Sequence, residues 1–304
     1  MPELPEVETI KNDLAKSVNG AEITDFISYS PKQISPTENI VKKNIIGTKI
    51  VGVERRGKVI VLSIKYLVSS KKFILIHLKM SGRLLLRGKD EPEDKYTRAI
   101  ITLRHSGERS ETRIDSGVSR LRRDPQNDAK SVFELRFCDT RKFGFVKLLN
   151  SKIEKDSYFK KYGPEPFSPA FSPQYLMDKL KNCKRKIKPV IMDLEVVTGV
   201  GNIYANEALY LSRIKPDRQG GSLKKKEIVK LFNCIKKVFK KGIKYRGSSS
   251  RDESYKDLFG KMGSYQKHFL VYERKGEFCQ KCGGVIEYLR VSGRGTFFCR
   301  RCQN

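Results

Sequence analysis

The sequence predicts an α+β protein with an N-terminal antiparallel β-sandwich, a flanking helix, and a C-terminal helical domain that ends in a hairpin. Three patterns support this fold class. Short β-branched and aromatic runs occupy 49–149, helical periodicity takes over from residue 175, and two Cys-x2-Cys pairs close the chain. A chain of 304 residues is long enough for two domains with hydrophobic cores.

The first predicted element is a helix over residues 5–18. Its apolar residues recur at helical spacing from Val7 to Val18, and Asn19-Gly20 supplies the stop signal. Predicted strands follow at 49–53, 59–64, 73–78, 99–103, 132–137 and 145–149. No helical pattern separates them, which favours an antiparallel sandwich over residues 1–150. Gly57 marks a hairpin turn that we expect to lift basic side chains off the sheet.

A polar insertion at 105–130 interrupts the predicted sandwich. It contains almost no core-forming residues, and its basic and acidic side chains nearly cancel. We expect a mobile, solvated loop, with contact to nucleic acid as the less favoured alternative.

The second half of the chain is predicted to be helical after a linker at 163–166. Helical periodicity covers 175–180, 187–197 and 203–211. A further apolar stripe from Ile228 to Phe239 defines a helix whose remaining surface is rich in lysine. Such a run is usually a solvated face, although it also adds to a field that attracts phosphate. We therefore divide the chain into a sandwich (1–150), a helical domain (151–250) and a C-terminal segment (251–304).

The charge of the chain indicates its partner. Lys and Arg total 63 against 34 acidic residues, a formal net charge of +29. An excess of this size favours a polyanion, most often nucleic acid, over a surface that lysine merely makes soluble. The sequence has neither an apolar run of 18 residues nor a signal peptide. We therefore expect a soluble, intracellular protein that does not bind membranes.

Four of the seven cysteines form two close pairs, Cys279-x2-Cys282 and, after 16 residues, Cys299-x2-Cys302. This spacing is typical of a tetrahedral structural zinc site, and four thiolates leave no open position for catalysis. A redox dithiol is the alternative, but it does not need two pairs. The intervening hairpin carries Arg294 at its turn, which suits insertion into a nucleic-acid groove. The isolated cysteines are predicted core residues: Cys138, Cys183 and Cys234.

The N-terminal sequence MPELPEVE is the most informative segment for chemistry. Removal of Met1 would expose the secondary amine of Pro2, and a terminal amine has a pKa of about 8, so far more of it is neutral than of a lysine. Such an amine can attack an electrophilic sugar carbon and form a Schiff base. The alternative is a proline that only begins a helix, with Glu3, Glu6 and Glu8 complementing the helix dipole.

Three further motifs fit contact with nucleic acid. In Gly199-Val200-Gly201-Asn202, the glycines would let the backbone approach a phosphate, and Asn202 would cap a helix and donate to the phosphodiester. Alone, this motif is often only a turn. HLKMSG at 77–82 and DTRKFG at 139–144 each leave a strand and enter a turn. Met80 and Phe143 would either fold back onto the core or act as wedges that fill a vacated base stack.

Together these motifs closely resemble the bacterial formamidopyrimidine-DNA glycosylase family. The resemblance spans nearly the whole chain apart from 105–130 and rests on MPELPEVET, Gly57-Lys58, HLKMSG, DTRKFG, GPEP, KPVIMDLEVVTGVGNIYANEAL at 188–209, 247–252 and the cysteine module. It implies a helix–two-turn–helix arrangement in 151–250, and a lesion-loop segment with a four-cysteine zinc finger holding one structural Zn2+ in 251–304. It also implies a monomer in the bacterial cytoplasm, associated with the nucleoid, whose partner is double-stranded DNA containing oxidised bases or abasic sites.

The resemblance further implies a bifunctional glycosylase and abasic-site lyase of base-excision repair that removes 8-oxoguanine and formamidopyrimidines by β,δ-elimination. Pro2 would attack C1′ of a flipped nucleotide, Glu3 would act as the acid, and Glu6 would shape the pocket. Lys58 would contact phosphate and assist β-elimination. Arg294 would grip the flanking phosphates and assist δ-elimination. The residues implied to fill the gap are Met80, Arg141 and Phe143, and those implied to clamp the kinked backbone are Lys184, Lys188 and Asn202.

Some residues depart from the family pattern, and two other functions stay open. Tyr96 and Arg98 stand where histidines are usual, and Lys79 replaces a usual glycine. One rival is an endonuclease VIII-type glycosylase for oxidised pyrimidines, although that branch usually has glycine at the position of Leu4. The other is a non-enzymatic zinc-ribbon protein that binds nucleic acid. This second rival leaves unexplained why acids such as Glu3, which repel phosphate, crowd the N-terminus.

Overall fold

The computed structural model describes residues 2–66, 71–105, 132–249 and 255–304. The predicted insertion at 105–130 lies outside these ranges except for His105, as does part of the 247–252 motif. Within the described ranges, no helix combines the length and the apolar character that crossing a membrane requires.

Among its described residues, the N-terminal half combines strands with three short or medium helices. The helices are α1 (Leu4–Val18), α2 (Glu38–Ile45) and α3 (Lys152–Phe159). The strands are β1 (Glu22–Ser28), β2 (Ile34–Ser35), β3 (Lys49–Arg56), β4 (Val59–Lys65), β5 (Lys72–His77), β6 (Gly82–Gly88), β7 (Thr97–Arg104), β8 (Val132–Asp139) and β9 (Phe145–Leu149).

These strands form the predicted sandwich. They are hydrogen-bonded in the order β2-β9-β5-β4-β3-β1-β7-β8-β6. Strands β1 and β3 share a single residue pair, Glu22 with Lys49, so the sheet divides there into two layers. Inward side chains of both layers, such as Leu62 and Ile101, belong to one hydrophobic core, and α1 adds its apolar face to the same core. The predicted helix and sandwich are therefore confirmed.

The structure adds elements that the sequence pattern did not reveal. Strands β1, β2 and β6 and helices α2 and α3 were not predicted. In β1 the register with β7 shifts between Ile23 and Asp25, and this irregularity breaks the alternation of buried and exposed residues. The two residues of β2 pair with β9 in parallel, so the sheet is not wholly antiparallel as predicted.

The second half is helical and ends in a hairpin. Its helices are α4 (Pro173–Leu180), α5 (Ile187–Ile191), α6 (Asn202–Ser212) and α7 (Lys225–Lys244), followed by β10 (Ile286–Val291) and β11 (Arg294–Cys299). The prediction of a helix through 197 was wrong, because α5 ends at Ile191. The Asp193 side chain accepts the N–H of Glu195 (3.1 Å), a local bond that competes with helix continuation.

Helix α1 joins the two hydrophobic cores. Val7 packs in the sandwich core, whereas Leu4 packs with the helices of the second half. Both side chains are fully buried. The first turn of α1 therefore lies at the junction of the two domains.

The turn between β3 and β4 is tied to this junction as well. Arg55 donates to Glu8 (2.6 Å) and pairs with Glu165 of the linker (2.7 Å). Arg56 donates to the carbonyl oxygen of Gly163 (2.7 Å). The expectation that this turn lifts its arginines off the sheet was wrong, because acids and carbonyl groups of the linker region hold both guanidinium groups.

Candidate active site and zinc centre

The carboxylate of Glu3 occupies the N-terminus of helix α6. Its oxygens accept the backbone N–H groups of Gly201 (2.7 Å), Ile203 (2.9 Å) and Tyr204 (3.4 Å). These are groups that a helix start leaves without an intrahelical partner, and the helix dipole favours a negative charge there. Because Glu3 is only 1% exposed, these bonds fix one position for its carboxyl group.

The glycines of the 199–202 motif make room for the N-terminal segment. A Cβ at Gly201 would lie 2.2 Å from Cδ of Glu3, and one at Gly199 would lie 2.6 Å from the side chain of Leu4. Gly199 also has φ +86°, a conformation that favours glycine. The prediction that this motif presents its N–H groups to phosphate is corrected, since a carboxylate of the same chain accepts them.

Asn202 is not the helix cap that the sequence suggested. Gly201 holds the cap position, and Glu3 supplies the capping carboxylate from a distant part of the chain. Asn202 is the first residue of α6 and is half-buried. Its side-chain oxygen has no hydrogen-bond partner among the residues that the structure describes. Contact with DNA by Asn202 stays a prediction.

Glu6 fixes the backbone at the start of the chain. One of its oxygens accepts the N–H of Glu3 (2.8 Å). The other accepts the hydroxyl of Tyr204 (2.8 Å) and the N–H of Ser248 (2.7 Å). Pro2, which precedes this anchored residue, is buried. Tyr204 and Ser248 were not recognised from sequence, although a tyrosine in the first turn of a helix that follows two glycines is a usable signal for close packing.

Opposite charges act on one another around the buried carboxyl group of Glu3. Burial raises the pKa of Glu3, and the charge of Lys58 partly opposes that rise. Burial lowers the pKa of Lys58, against the attraction of Glu3 and Glu6, and the positive charge of Arg294 lowers it further. The charges of Glu3, Glu6 and Arg294 are therefore near enough to Lys58 to act on its ammonium group. The structure thus brings the residues of the predicted catalytic set to one place, at the domain junction.

The hairpin that carries Arg294 is held by helices α5 and α6. Its turn, Ser292-Gly293, has positive φ at both residues, and Arg294 is exposed directly after it. Asn206 of α6 accepts the N–H of Phe297 (2.8 Å). The hairpin is therefore attached to the helix whose N-terminus holds the Glu3 carboxylate.

Lys188 braces this hairpin from α5. It is 1% exposed, and its ammonium group donates to the carbonyl oxygen of Gly295 (2.8 Å) and to the hydroxyl of Thr296 (2.8 Å). Burial lowers its pKa to about 7. The expectation of a surface clamp on the DNA backbone is corrected for Lys188, because its donors are directed into the protein. Lys184, by contrast, is exposed.

The four paired cysteines form a site for one structural zinc ion. Their sulfur atoms all lie within 4.8 Å of one another, with 3.8 Å between Cys279 and Cys302 and 3.4 Å between Cys282 and Cys299. Tetrahedral zinc with Zn–S bonds of about 2.3 Å requires sulfur atoms about 3.8 Å apart, so the set fits the ion. Of the isolated cysteines, Cys138 and Cys234 are buried as predicted, whereas Cys183 is half-buried.

The two predicted wedge turns lie side by side and expose their apolar residues. Met80 is 40% exposed and Phe143 is 55% exposed, so neither folds back onto the core. The guanidinium of Arg141 stacks over the Phe143 ring at 5.3 Å. Lys79, which stands where glycine is usual, has φ +51°. It therefore adopts the left-handed conformation that glycine favours, and the turn forms with lysine at this position.

A buried carboxylate that the sequence analysis missed fastens these turns together. Asp139 accepts the hydroxyl of Ser81 (2.6 Å) in one turn and the N–H groups of Arg141 (3.1 Å) and Gly144 (2.8 Å) in the other. The amide of Gln33 also donates to it (3.1 Å). Its position directly before the Thr-Arg-Lys-Phe turn was the available signal, because Asp commonly accepts N–H groups of a following turn.

Comparison with known proteins agrees with this geometry. Residues 1–146 match the formamidopyrimidine-DNA glycosylase N-terminal domain, 162–254 match the formamidopyrimidine-DNA glycosylase H2TH domain, and 276–304 match a zinc finger found in FPG and IleRS. The chain therefore belongs to the formamidopyrimidine-DNA glycosylase family.

Individual relatives match over their full length. A formamidopyrimidine-DNA glycosylase of Carboxydothermus hydrogenoformans is 36% identical over 305 residues, with both chains covered completely. One of Bacillus cereus is 35% identical over 306 residues, covering 100% of this chain and 99% of the relative. Among solved structures, a Lactococcus lactis FPG variant in complex with a Fapy-dG containing DNA has a TM-score of 0.84 and 31% identity over 100% of both chains. The Lactococcus lactis Fpg complex with an abasic site containing DNA has a TM-score of 0.84 and 31% identity over 99% of each chain.

Proposed function

We propose that this protein is a DNA glycosylase and abasic-site lyase of base-excision repair that removes oxidised purines through a Schiff base on Pro2. The observation that carries the proposal is the fixed position of Glu3 beside Pro2 at the N-terminus of α6. The proposed roles of the domains are arranged around this position. A catalytic sandwich (1–150) and a helical DNA-binding domain (151–250) meet at Pro2, and the C-terminal segment (251–304) contributes Arg294 on a zinc-braced hairpin.

In this reaction the amine of Pro2, freed by removal of Met1, attacks C1′ of the damaged nucleotide. The base leaves, the C1′–O4′ bond of the sugar then opens as O4′ takes up a proton, and the proline nitrogen and C1′ form an iminium ion, the Schiff base. Glu3 supplies the proton that this step needs, and burial raises its pKa although Lys58 and the N–H groups of α6 favour its charged form. Glu6 acts as a positioning residue, because it holds the N–H of Glu3 and so sets the direction of residue 2.

The basic residues of the site serve the elimination steps. Lys58 accepts the C2′ proton in β-elimination, a role that the lowering of its pKa by burial favours. Arg294 binds the phosphates that flank the lesion and stabilises the negative charge that leaves in δ-elimination. Lys188 positions Arg294 through the hairpin backbone.

The exposed wedge residues serve DNA binding. Met80 and Phe143 fill the space that the flipped nucleotide leaves, and Arg141 contacts the orphaned base. Lys184 and Asn202 bind the kinked backbone. Asp139 keeps the two wedge turns at a fixed separation, so that both enter the same gap.

Cleavage of a defined duplex tests the proposed function. A labelled duplex with 8-oxoguanine opposite cytosine should be converted to products with phosphate at both ends of a one-nucleotide gap, resolved on a denaturing gel. A duplex with an oxidised pyrimidine in the same reaction separates the two glycosylase types. Tight binding of either duplex without strand cleavage would contradict the proposal and favour a binding protein.

A further inference from the structure

One face of helix α7 carries lysines that the proposed reaction does not use. This lysine stripe consists of Lys226, Lys230, Lys237, Lys240 and Lys244, and all five are exposed. At about 100° per residue, the other four lie within about 40° of Lys226 around the helix axis. At about 1.5 Å per residue, the stripe extends about 27 Å. The five charges therefore lie along one side of the longest helix that the structure describes, with Asn233 between Lys230 and Lys237.

The lysine stripe faces away from the proposed catalytic site. Gly242 lies about 160° around the helix from Lys226. A Cβ at Gly242 would meet the hydroxyl oxygen of Tyr204 at 2.5 Å, and that hydroxyl donates to Glu6. DNA bound at Pro2 therefore lies on the other side of α7 and leaves the lysine stripe accessible.

The charges of the stripe are not neutralised within the described part of the chain. Helix α7 contains a single acid, Glu227, and that carboxylate pairs with Arg218 (2.6 Å). No ion pair joins a lysine of the stripe to an acidic residue that the structure describes. Lysines four residues apart on a helix repel one another, so the lysine stripe makes α7 less stable than a helix with uncharged residues at these positions.

A positive field extends past the end of the helix. The pKa of His268 is lowered by burial and then by the charges of Lys241, Lys244 and Lys267. A surface of this kind favours an extended polyanion over a small anion, since the five lysines are spread along the helix and do not converge on one point.

We propose that the lysine stripe binds a second segment of double-stranded DNA while the catalytic site holds the first. A duplex presents one negative charge for about every 1.7 Å of its axis, so 27 Å of it offers about 16 phosphates to five lysines. Pairing between these phosphates and lysines depends neither on the base sequence of the duplex nor on its position along the helix. An acidic protein would need carboxylates at defined positions. Simultaneous binding of two segments allows direct transfer from one to the other during the search for damage.

A bridging assay with the full-length protein tests this proposal. A duplex containing an uncleavable tetrahydrofuran abasic analogue is immobilised, saturated with protein, and challenged with a labelled undamaged duplex. The variant K226Q/K230Q/K237Q/K240Q/K244Q removes the stripe and keeps good helix formers. We expect at least a tenfold loss of labelled duplex captured. The dependence of capture on salt should also weaken, with log K against log salt losing up to about 4.5 of its slope.

A matched variant separates the stripe from net charge. K43Q/K49Q/K152Q/K160Q/K161Q removes five charges from other exposed positions and should capture the second duplex as the wild type does. Failure of the wild type to capture it, or equal capture by both variants, overturns the proposal. Capture of an acidic protein but not of duplex DNA overturns it also. Binding of the protein to the immobilised analogue duplex rests on the proposed function and not on the lysine stripe. A protein that fails to bind this first duplex is therefore distinguished from one that fails to capture the second.

Discussion

Gly201→Ala should cripple base excision without unfolding the protein. Gly201 has φ −124° and ψ −162°, which alanine adopts without strain, but its Cβ would lie 2.2 Å from Cδ and 2.5 Å from Oε1 of Glu3. The buried carboxyl group must therefore leave the N-terminus of α6. Each hydrogen bond to a charged acceptor contributes about 1.5–3 kcal/mol, and at least one of the two short bonds would be lost.

The expected size of the effect follows from these bonds. Loss of one short bond corresponds to about 1.5–3 kcal/mol, and each 1.36 kcal/mol is a tenfold change in rate, so we expect excision to slow by at least about tenfold, and by about 100-fold or more if both bonds are lost. The change in rate is measured by single-turnover excision from a duplex with 8-oxoguanine, and the fold is checked by circular dichroism with thermal melting. Gly52→Ala is the matched control, because its Cβ would only touch Cβ of Ser63 at 3.8 Å. Excision by a folded Gly201→Ala variant within twofold of the wild type would refute this assignment of Glu3.

Three further predictions concern other parts of the site. Because burial raises the pKa of Glu3, its acid form is lost as pH rises through that raised value. The rate of excision should therefore decline as the pH becomes alkaline. Glu3→Gln should excise poorly at every pH but should still cleave a preformed abasic site. Equal loss of excision and cleavage would argue against the role of Glu3 as an acid. Chelation of zinc should raise hydrogen exchange across 276–304 but not across 49–65 and should weaken DNA cleavage; full activity of the stripped protein would show that the zinc centre is incidental. Asp139→Ala should lower the free energy of unfolding by about 3 kcal/mol, measured by urea denaturation, and should weaken binding to a lesion duplex; unchanged binding would mean that the wedge turns do not depend on Asp139.

Much of the fold could be predicted because it is encoded locally. Helix α1, six of the strands and the zinc centre each show in spacing alone, and their residues appear at the expected places. Strand β1 was missed because its shifted register removes the alternation by which a strand is recognised.

The site was predicted less completely, because its contacts join distant parts of the chain. The bond between Glu3 and Gly201 spans 198 residues, and that between Lys188 and Gly295 spans 107. Sequence indicated that Gly201 needs space and that Lys188 is basic. It did not indicate that a carboxylate fills that space or that a hairpin covers that lysine. The residue types predicted which chemical groups the site contains, whereas the direction in which each side chain points could be known only from the tertiary fold.

Borohydride trapping shows whether Pro2 forms a covalent imine with damaged DNA. The protein, with removal of Met1 verified by intact mass, is mixed with a duplex carrying 8-oxoguanine opposite cytosine and reduced with borohydride. We expect a stable adduct whose N-terminal peptide carries the DNA, and no such adduct for Pro2→Gly. An adduct on another residue, or undiminished trapping by Pro2→Gly, would contradict it.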